Sequence, residues 1–372
     1  MSVADTNPDY WSEYSNLQHV KHAIIRNYLN GWFPKLTLGE SGVRRLLYID
    51  THAGRGKHLS GELGSPLVAL TTLLEHSAME RILRRAEVRY IFIERDEANL
   101  ESLRQELSQC EVPSKVIVDT ADGDCFEIIT GAIDRLEEQG RRLAPGFIFL
   151  DPYGFRIPGQ LLRRIMKIPK TELFVNVIWR ELDMAIALAK RGSQPGMVRT
   201  LDSVFDGDGW RQIDAGTSDE RAEQCADVFR AISGAQWGTH IRMMDNNRIR
   251  YFLLHLTNHD AGRDLMKECI WNACPDGGFL ASKSDNPRQR LLIEPEPDLG
   301  PLRQWIRDQL ATAPRRWKSD LTSALRRELW LGKHLNGCVR DMRREGMIAA
   351  DSYEGQFAAK NNPLLHLAEG EV

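Results

Sequence analysis

Apolar positions along this chain recur at two periods. Between residues 16 and 33, Leu17, Val20, Ile24, Tyr28 and Trp32 share one helical face, and Pro34 and Gly39 are expected to end that helix. The apolar run at 46–50 then closes on Asp50 and is followed by a glycine-bearing loop. A buried parallel strand feeding a ligand loop has this form. The pattern repeats: 88–94, 115–118, 147–150 and 173–178 read as further strands. Between them, Leu100/Leu103/Leu107, Phe126/Ile129/Ile133/Leu136 and Leu161/Leu162/Ile165/Met166 stripe amphipathic helices. Such alternation predicts an α/β protein with a Rossmann-like, doubly wound sheet. Residues 180–240 read as a mostly helical insertion, 250–256 as a late strand and 261–271 as the helix after it.

A Pro-, Glu- and Asp-bearing linker at 294–301 marks a boundary, giving domains at 1–294 and 301–372. Beyond it, Leu302/Trp305/Ile306/Leu310, Leu321/Leu325/Leu329 and Leu335/Val339/Met342 mark three helices. Gly346 ends the third, and 347–350 and 364–367 read as extended. Three helices and a small hairpin predict a winged helix-turn-helix.

Composition narrows the partners. The 372 residues carry 49 Lys and Arg against 52 Asp and Glu, so no global basic field exists and nucleic-acid contact requires a local patch. Between 301 and 345, eleven basic residues face five acidic ones. Arg315, Arg316, Lys318, Lys333, Arg340, Arg343 and Arg344 form the candidate phosphate-facing patch for DNA or RNA. A solvated helical face, or a winged helix that binds protein, accounts for the same charges. No apolar run approaches the roughly 20 residues that span a bilayer, so no membrane role is expected. The polar, acidic first residues do not read as a signal peptide, and the six dispersed cysteines fit a reducing cytoplasm.

The chemistry concentrates at strand ends. Asp50-Thr51-His52-Ala53-Gly54-Arg55-Gly56 lies where open α/β sheets bind ligands, with two glycines spaced G-x-G; a structural tight turn is the alternative. Glu94 ends the second strand, where a carboxylate accepts from ribose hydroxyls; capping the next helix is the alternative. Asp122-Gly123-Asp124-Cys125-Phe126 follows the third strand, and Asp124 also reads as an N-cap. Asp151-Pro152-Tyr153-Gly154-Phe155 closes the fourth. There a carboxylate can accept from an exocyclic amine while Tyr153 or Phe155 stacks on a base; an ordinary turn is the alternative. His19, His22, His52 and His58 cluster in sequence without a ligand spacing, so no metal is expected.

Together these segments resemble the bacterial three-Cys-motif partner (TcmP) family. The matching residues are Leu47-Tyr48-Ile49-Asp50, Ala53-Gly54-Arg55-Gly56, the Gly64–Leu70 segment, Phe92-Ile93-Glu94 and Phe149–Gly154. Pro169-Lys170-Thr171-Glu172, Thr257-Asn258-His259 and Gly277-Gly278 also match. The resemblance implies an S-adenosylmethionine (SAM) methyltransferase-like fold, often a C-terminal winged helix, and a partner protein bearing a three-cysteine, radical-SAM-like motif. The chain is also similar to ribosomal RNA adenine-N6 methyltransferases with a D-T-H-A-G loop, through Val20-Lys21-His22, Asp50–Gly54, Gly64–Leu67, Glu94, Asp124, Phe126 and Asp151-Pro152. That similarity implies SAM contacts from His22, His52, Ser65, Glu94, Asp124 and Cys125, with Asp151 at the amine. Asp50, Gly54 and Gly56 complete the expected cofactor site. The adenine enzymes end the last motif D-P-P-Y, whereas this chain has Asp151-Pro152-Tyr153-Gly154. D-P-F-G turns occur in guanine-N2 tRNA methyltransferases, so the target base stays open. Methyl transfer to an exocyclic amine is the leading expectation, and an inactive SAM-fold scaffold for nucleic acid or the three-cysteine partner is the rival.

Overall fold

A computed structural model of the protein describes residues 14–39, 42–192, 194–274, 279–283, 297–350, 357 and 361–368. The chain divides into two compact units, Met1–Cys269 with Leu280–Arg290, and Ile270–Phe279 with Leu291–Val372.

The first unit begins with α1 (Asn16–Thr37), β1 (Arg45–Asp50), α2 (Ser65–Leu74), α3 (Met79–Arg85), β2 (Glu87–Glu94), α4 (Glu97–Ser108) and β3 (Val116–Asp122). It continues through α5 (Cys125–Glu138), β4 (Gly146–Leu150), α6 (Gly159–Met166), β5 (Glu172–Val177), α7 (Trp179–Lys190), α8 (Pro195–Val204) and α9 (Ser218–Ser233). A hairpin of β6 (Trp237–Asp245) and β7 (Arg248–Thr257), then α10 (Asp260–Ala273), which belongs to this unit as far as Cys269, and β8 (Leu280–Ser282), follow.

The eight strands lie in the order β3-β2-β1-β4-β5-β7-β6-β8. The first five are mutually parallel, β7 runs antiparallel to β5 and β6, and β8 is parallel to β6. This is the Rossmann-like methyltransferase fold. Strand order reverses between β1 and β4, so their carboxyl ends frame the crevice where such sheets bind ligands. β4 and β5 are buried along their whole length and β1 at all but Arg45, as expected of strands covered on both faces.

Several elements depart from the sequence expectation. α1 runs through Pro34 to Thr37. Proline removes one helical donor, the one due at Asn30 O, and His76 Nε2 donates there instead at 2.9 Å. β3 extends to Asp122 because it is an edge strand, half-exposed and polar past Val118, which hides it from an apolar count. α2 and α3 fill the stretch between β1 and β2. The helical insertion ends earlier than 240: Thr239, Ile241 and Met243 alternate inward along β6, and Asn246-Asn247, both at positive φ, form the hairpin turn.

Gly159 sets a close approach. A Cβ there would stand 2.6 Å from Val204 O and 3.0 Å from Asp206 N, so the start of α6 lies directly on the end of α8. Gly159→Ala is expected to destabilise the first unit by about 1–3 kcal/mol; an unchanged thermal midpoint would contradict that packing.

The second unit contains α11 (Gly300–Thr312), β9 (Arg315–Arg316), α12 (Gly332–Arg344), β10 (Ile348–Ala350) and β11 (Leu364–Leu367). Its strands pair in the order β10-β11-β9. Leu302, Ile306, Leu310, Leu335, Val339, Met342 and Leu365 share its core. Of the linker expected at 294–301, residues 294–296 lie outside the described residues, and Pro301 sits in the first turn of α11. The second expected helix is instead a π-helical turn, Trp317–Thr322, and a 3-10 turn, Leu325–Arg327. Leu321 and Leu325 are buried, but Leu329 is 42% exposed and leaves the stripe.

Candidate active site

The loop after β1 is built around two glycines in the left-handed region, Gly54 at φ +62° and Gly56 at φ +82°. A side chain at Gly56 would also meet Leu103 Cδ1 at 2.9 Å. The loop is stitched from three sides: Ala53 N donates to Ile93 O at 2.9 Å, Gly64 N to Gly56 O at 2.7 Å, and Gly54 N to Glu94 Oε2 at 2.7 Å. Between Gly56 and Gly64 the chain makes a small excursion. A Lys57–Leu63 bridge and a His58 N to Glu62 O bond of 2.8 Å close it, with Leu59 64% exposed near its tip.

Glu94 is buried, and its other oxygen accepts from the amides of Arg95 and Asp96, each at 2.9 Å. Its carboxylate therefore holds the β1 and β2 loops together, with one of its four lone-pair sites left over. Burial raises its pKa, and the three amides oppose that shift. The N-cap of α4 is Asp96, not Glu94. Asp124 does cap α5, accepting from Phe126 N at 2.9 Å and Glu127 N at 3.1 Å.

Asp50, at the tip of β1, is fully buried, and its Oδ2 has no hydrogen-bond partner among the described residues. Its pKa is pushed up to about 7. Burial is the main cause and the neighbouring Asp151 charge adds to it, while the Ser65 hydroxyl, the His52 amide and Lys21 oppose it. A folded pKa above the unfolded value of 3.8 means that the native state holds the extra proton. Stability from this group is therefore lost as pH rises from about 4 through 7. Asp50→Asn is expected to gain stability over the parent at pH 8, by at most about 4 kcal/mol, and nothing at pH 4. Thermal midpoints across that range test it, and a gain independent of pH would refute the buried charge.

Asp151 follows β4, where two residues clamp its carboxylate. Lys21 Nζ on α1 lies 2.6 Å from Oδ2, and Asn176 Nδ2 on β5 donates to Oδ1 at 2.5 Å. The Asp151 and Lys21 side chains are 14% and 6% exposed. Burial pushes the Asp151 pKa up, but Lys21 and Asn176 outweigh it, and the net shift is downward. Lys21 Nζ also lies 5.8 Å from the Phe149 ring centroid. Asp50 and Asp151 thus stand at adjacent strand ends with opposite protonation tendencies.

Aromatic rings border this pair. His52 meets Tyr153 edge-on at 6.0 Å and Phe126 at 6.3 Å, and its Nε2 lies 3.8 Å from Cys125 Sγ. Burial raises the Cys125 thiol to about 12, so it is no thiolate nucleophile. Tyr153 is half-buried, whereas Phe155 packs onto the main core cluster. His22 pairs through Nδ1 with Tyr14 OH at 2.7 Å, and burial followed by the Lys21 charge holds it well below the usual histidine range. Among the described residues no group of three or more His, Cys, Asp or Glu could hold a metal ion.

Asp50, His52, Asp151 and Tyr153 therefore come together beside the Gly54–Glu94 and Ser65 contacts. Sequence reasoning did not assign Lys21 or Asn176 to the site. Lys21 is a charge on the buried face of α1, and Asn176 an amide in an otherwise apolar, buried strand; each was a detectable signal. Gly277 and Gly278 lie outside the described residues. In the second unit, Arg316, Lys318, Lys333, Arg340 and Arg344 are exposed and Arg315 is half-buried. Arg340 and Arg344 flank Asp341 at 3.3 and 3.6 Å, and Arg343 covers the Phe357 ring.

No family model and no curated protein matches this chain. Solved structures with similar architecture include an O-methyltransferase, TomG of Streptomyces achromogenes, involved in tomaymycin synthesis and in complex with SAM. It is 15% identical, with 67% of this chain and 92% of that one covered and a TM-score of 0.33. Another is an O-methyltransferase of Bacillus cereus in complex with SAH, 12% identical, covering 68% of this chain and 100% of that one at a TM-score of 0.31. The fold assignment rests on the strand order and register above. No helix among the described residues is long and apolar enough to cross a membrane.

Proposed function

We propose that this chain is a SAM-dependent methyltransferase of the three-Cys-motif partner type, acting on an exocyclic amine of nucleic acid. The observation that carries this reading is the Asp151 carboxylate, kept ionised by Lys21 and Asn176 at the carboxyl end of β4 and bordered by His52 and Tyr153. The residues present fit SAM: Gly54 and Gly56 hold the loop after β1 in its left-handed turn, and the buried Asp50 Oδ2 has no hydrogen-bond partner among the described residues. His22, His52, Ser65, Glu94, Asp124 and Cys125 are the further residues that would hold the cofactor. SAM, when bound, supplies an electrophilic methyl group.

The protein's part is positional. Lys21 and Asn176 take one approach to each Asp151 oxygen and leave others for the N–H bonds of an incoming amine. An amine so held directs its remaining lone pair away from Asp151. Tyr153 offers a ring face or edge to the base, and Phe126 and His52 continue the apolar wall. The helix, strand and turn arrangement of the second unit supports a winged-helix reading. Its exposed Arg316, Lys318, Lys333 and Arg344 would track phosphates.

Calorimetry with SAM, followed by labelled methyl transfer onto total DNA and RNA, tests the proposal. Binding and a labelled nucleic acid are expected. A chain that binds neither SAM nor SAH is a scaffold. The engagement of Glu94 by three backbone amides favours that second reading, because it leaves one lone-pair site of the carboxylate for a ribose. The three-cysteine partner comes from the family resemblance, and co-purification of the two chains tests it.

A further inference from the structure

A second site lies five residues beyond Asp151. A cavity of about 330 Å³ opens between the loop Arg156–Pro158 and one face of α8, formed by Gly196, Arg199, Thr200 and Ser203. The spacing of those four positions, 196, 199, 200 and 203, keeps them on one side of the helix. Three of the four are small, which is what leaves room above the helix. Gly159 lets the start of α6 rest on Val204, which also lines the cavity.

The lining carries two positive charges and no negative one. Arg156 and Arg199 are both exposed and have no hydrogen-bond or ion-pair partner among the described residues. The acids closest in sequence on this segment are committed elsewhere. Asp202 accepts from Trp210 Nε1 at 2.9 Å, and Asp206 pairs with Arg163 at 2.8 Å. Thr200 and Ser203 add hydroxyl donors.

We infer that this cavity binds a phosphate group, with Arg156 and Arg199 as its charged clamp. Two arginines and two hydroxyls lining one cavity, with no carboxylate among the lining residues, make a donor set suited to phosphate oxygens. The helical insertion thereby acquires a role, since α8 supplies one wall of the cavity while the loop leaving Asp151 supplies the other. The phosphate of a nucleic-acid strand whose base reaches Asp151 is the expected source. That assignment of source, though not the site itself, rests on the proposed function.

The test compares the full-length parent with the Arg156→Gln/Arg199→Gln double variant. Both substitutions are on exposed positions and are expected to leave the thermal midpoint unchanged. Anisotropy with a fluorescent single-stranded RNA is expected to show about tenfold weaker binding by the variant. The slope of log K against log salt should fall by about 0.7 for each phosphate that the variant no longer neutralises. Equal affinity and slope in parent and variant would overturn the inference. Should the parent bind no oligonucleotide, inorganic pyrophosphate is the second probe. Calorimetric binding by the parent that is absent in the variant would keep the phosphate site and remove the nucleic-acid reading, and no binding by the parent would overturn both. SAM affinity, measured alongside, is expected to be the same in both proteins.

Discussion

Asp151→Ala is expected to abolish methyl transfer while leaving SAM affinity within about twofold, and to lower stability by about 3–5 kcal/mol. The two losses have separate causes. Transfer would fail because the proposed acceptor for the amine is gone. Stability falls because Lys21, 6% exposed, loses the carboxylate 2.6 Å from its Nζ while staying buried. Lys21→Met in the same background removes that cation and should restore most of the stability with none of the activity. A labelled-methyl assay paired with thermal melts of the single and double variants separates the effects. Transfer retained by Asp151→Ala would place the catalytic role elsewhere. A double variant no more stable than the single one would show that Lys21 was never held by charge.

Glu94→Ala is expected to lose SAM binding by a factor of a hundred or more and to destabilise the first unit by about 2–4 kcal/mol. Three amides, those of Gly54, Arg95 and Asp96, lose a charged acceptor at once, and each hydrogen bond to a charged group is worth about 1.5–3 kcal/mol before water partly replaces it. The larger effect is on the loop. Gly54 is held in its left-handed turn by that carboxylate across forty residues of sequence, so ligand contacts on the β1 side go with it. Glu94→Gln should rescue little, because its amide nitrogen would oppose one of the backbone donors. Calorimetry on both variants decides the matter: unimpaired binding by Glu94→Ala would reduce this residue to an ordinary loop contact.

The parallel half of the sheet was legible because strands buried on both faces are nearly continuously apolar, as 46–49, 147–150 and, but for Asn176, 173–178 are. The acids that end them stood out against that background, which is why Asp50, Glu94 and Asp151 could be named without coordinates. The hairpin of β6 and β7 was missed in part because β6 carries Arg242 and His240 on its outer positions. Its alternation is set by neighbours that only the fold reveals. Edge strand β3 was shortened for the same reason. The direction in which Glu94 turns its carboxylate is a long-range fact: residue type admitted a ribose contact and a helix cap alike, the cap falls to Asp96, and the carboxylate accepts from three backbone amides of the β1 and β2 loops. Lys21 and Asn176 reach Asp151 from 130 residues before it and 25 after it, and no local spacing encodes either meeting.

The excursion between Gly56 and Gly64 has a practical consequence. Its two ends are tied by a 2.7 Å bond from Gly64 N to Gly56 O, so the intervening residues form a closed side-loop whose base does not depend on its length. Closure entropy grows only logarithmically, and doubling such a loop costs about 0.6 kcal/mol. Extra residues or a fluorophore can therefore be grafted at exposed Leu59, within one short loop of the Gly54–Glu94 contact, provided that buried His58, which packs on Tyr14, is kept.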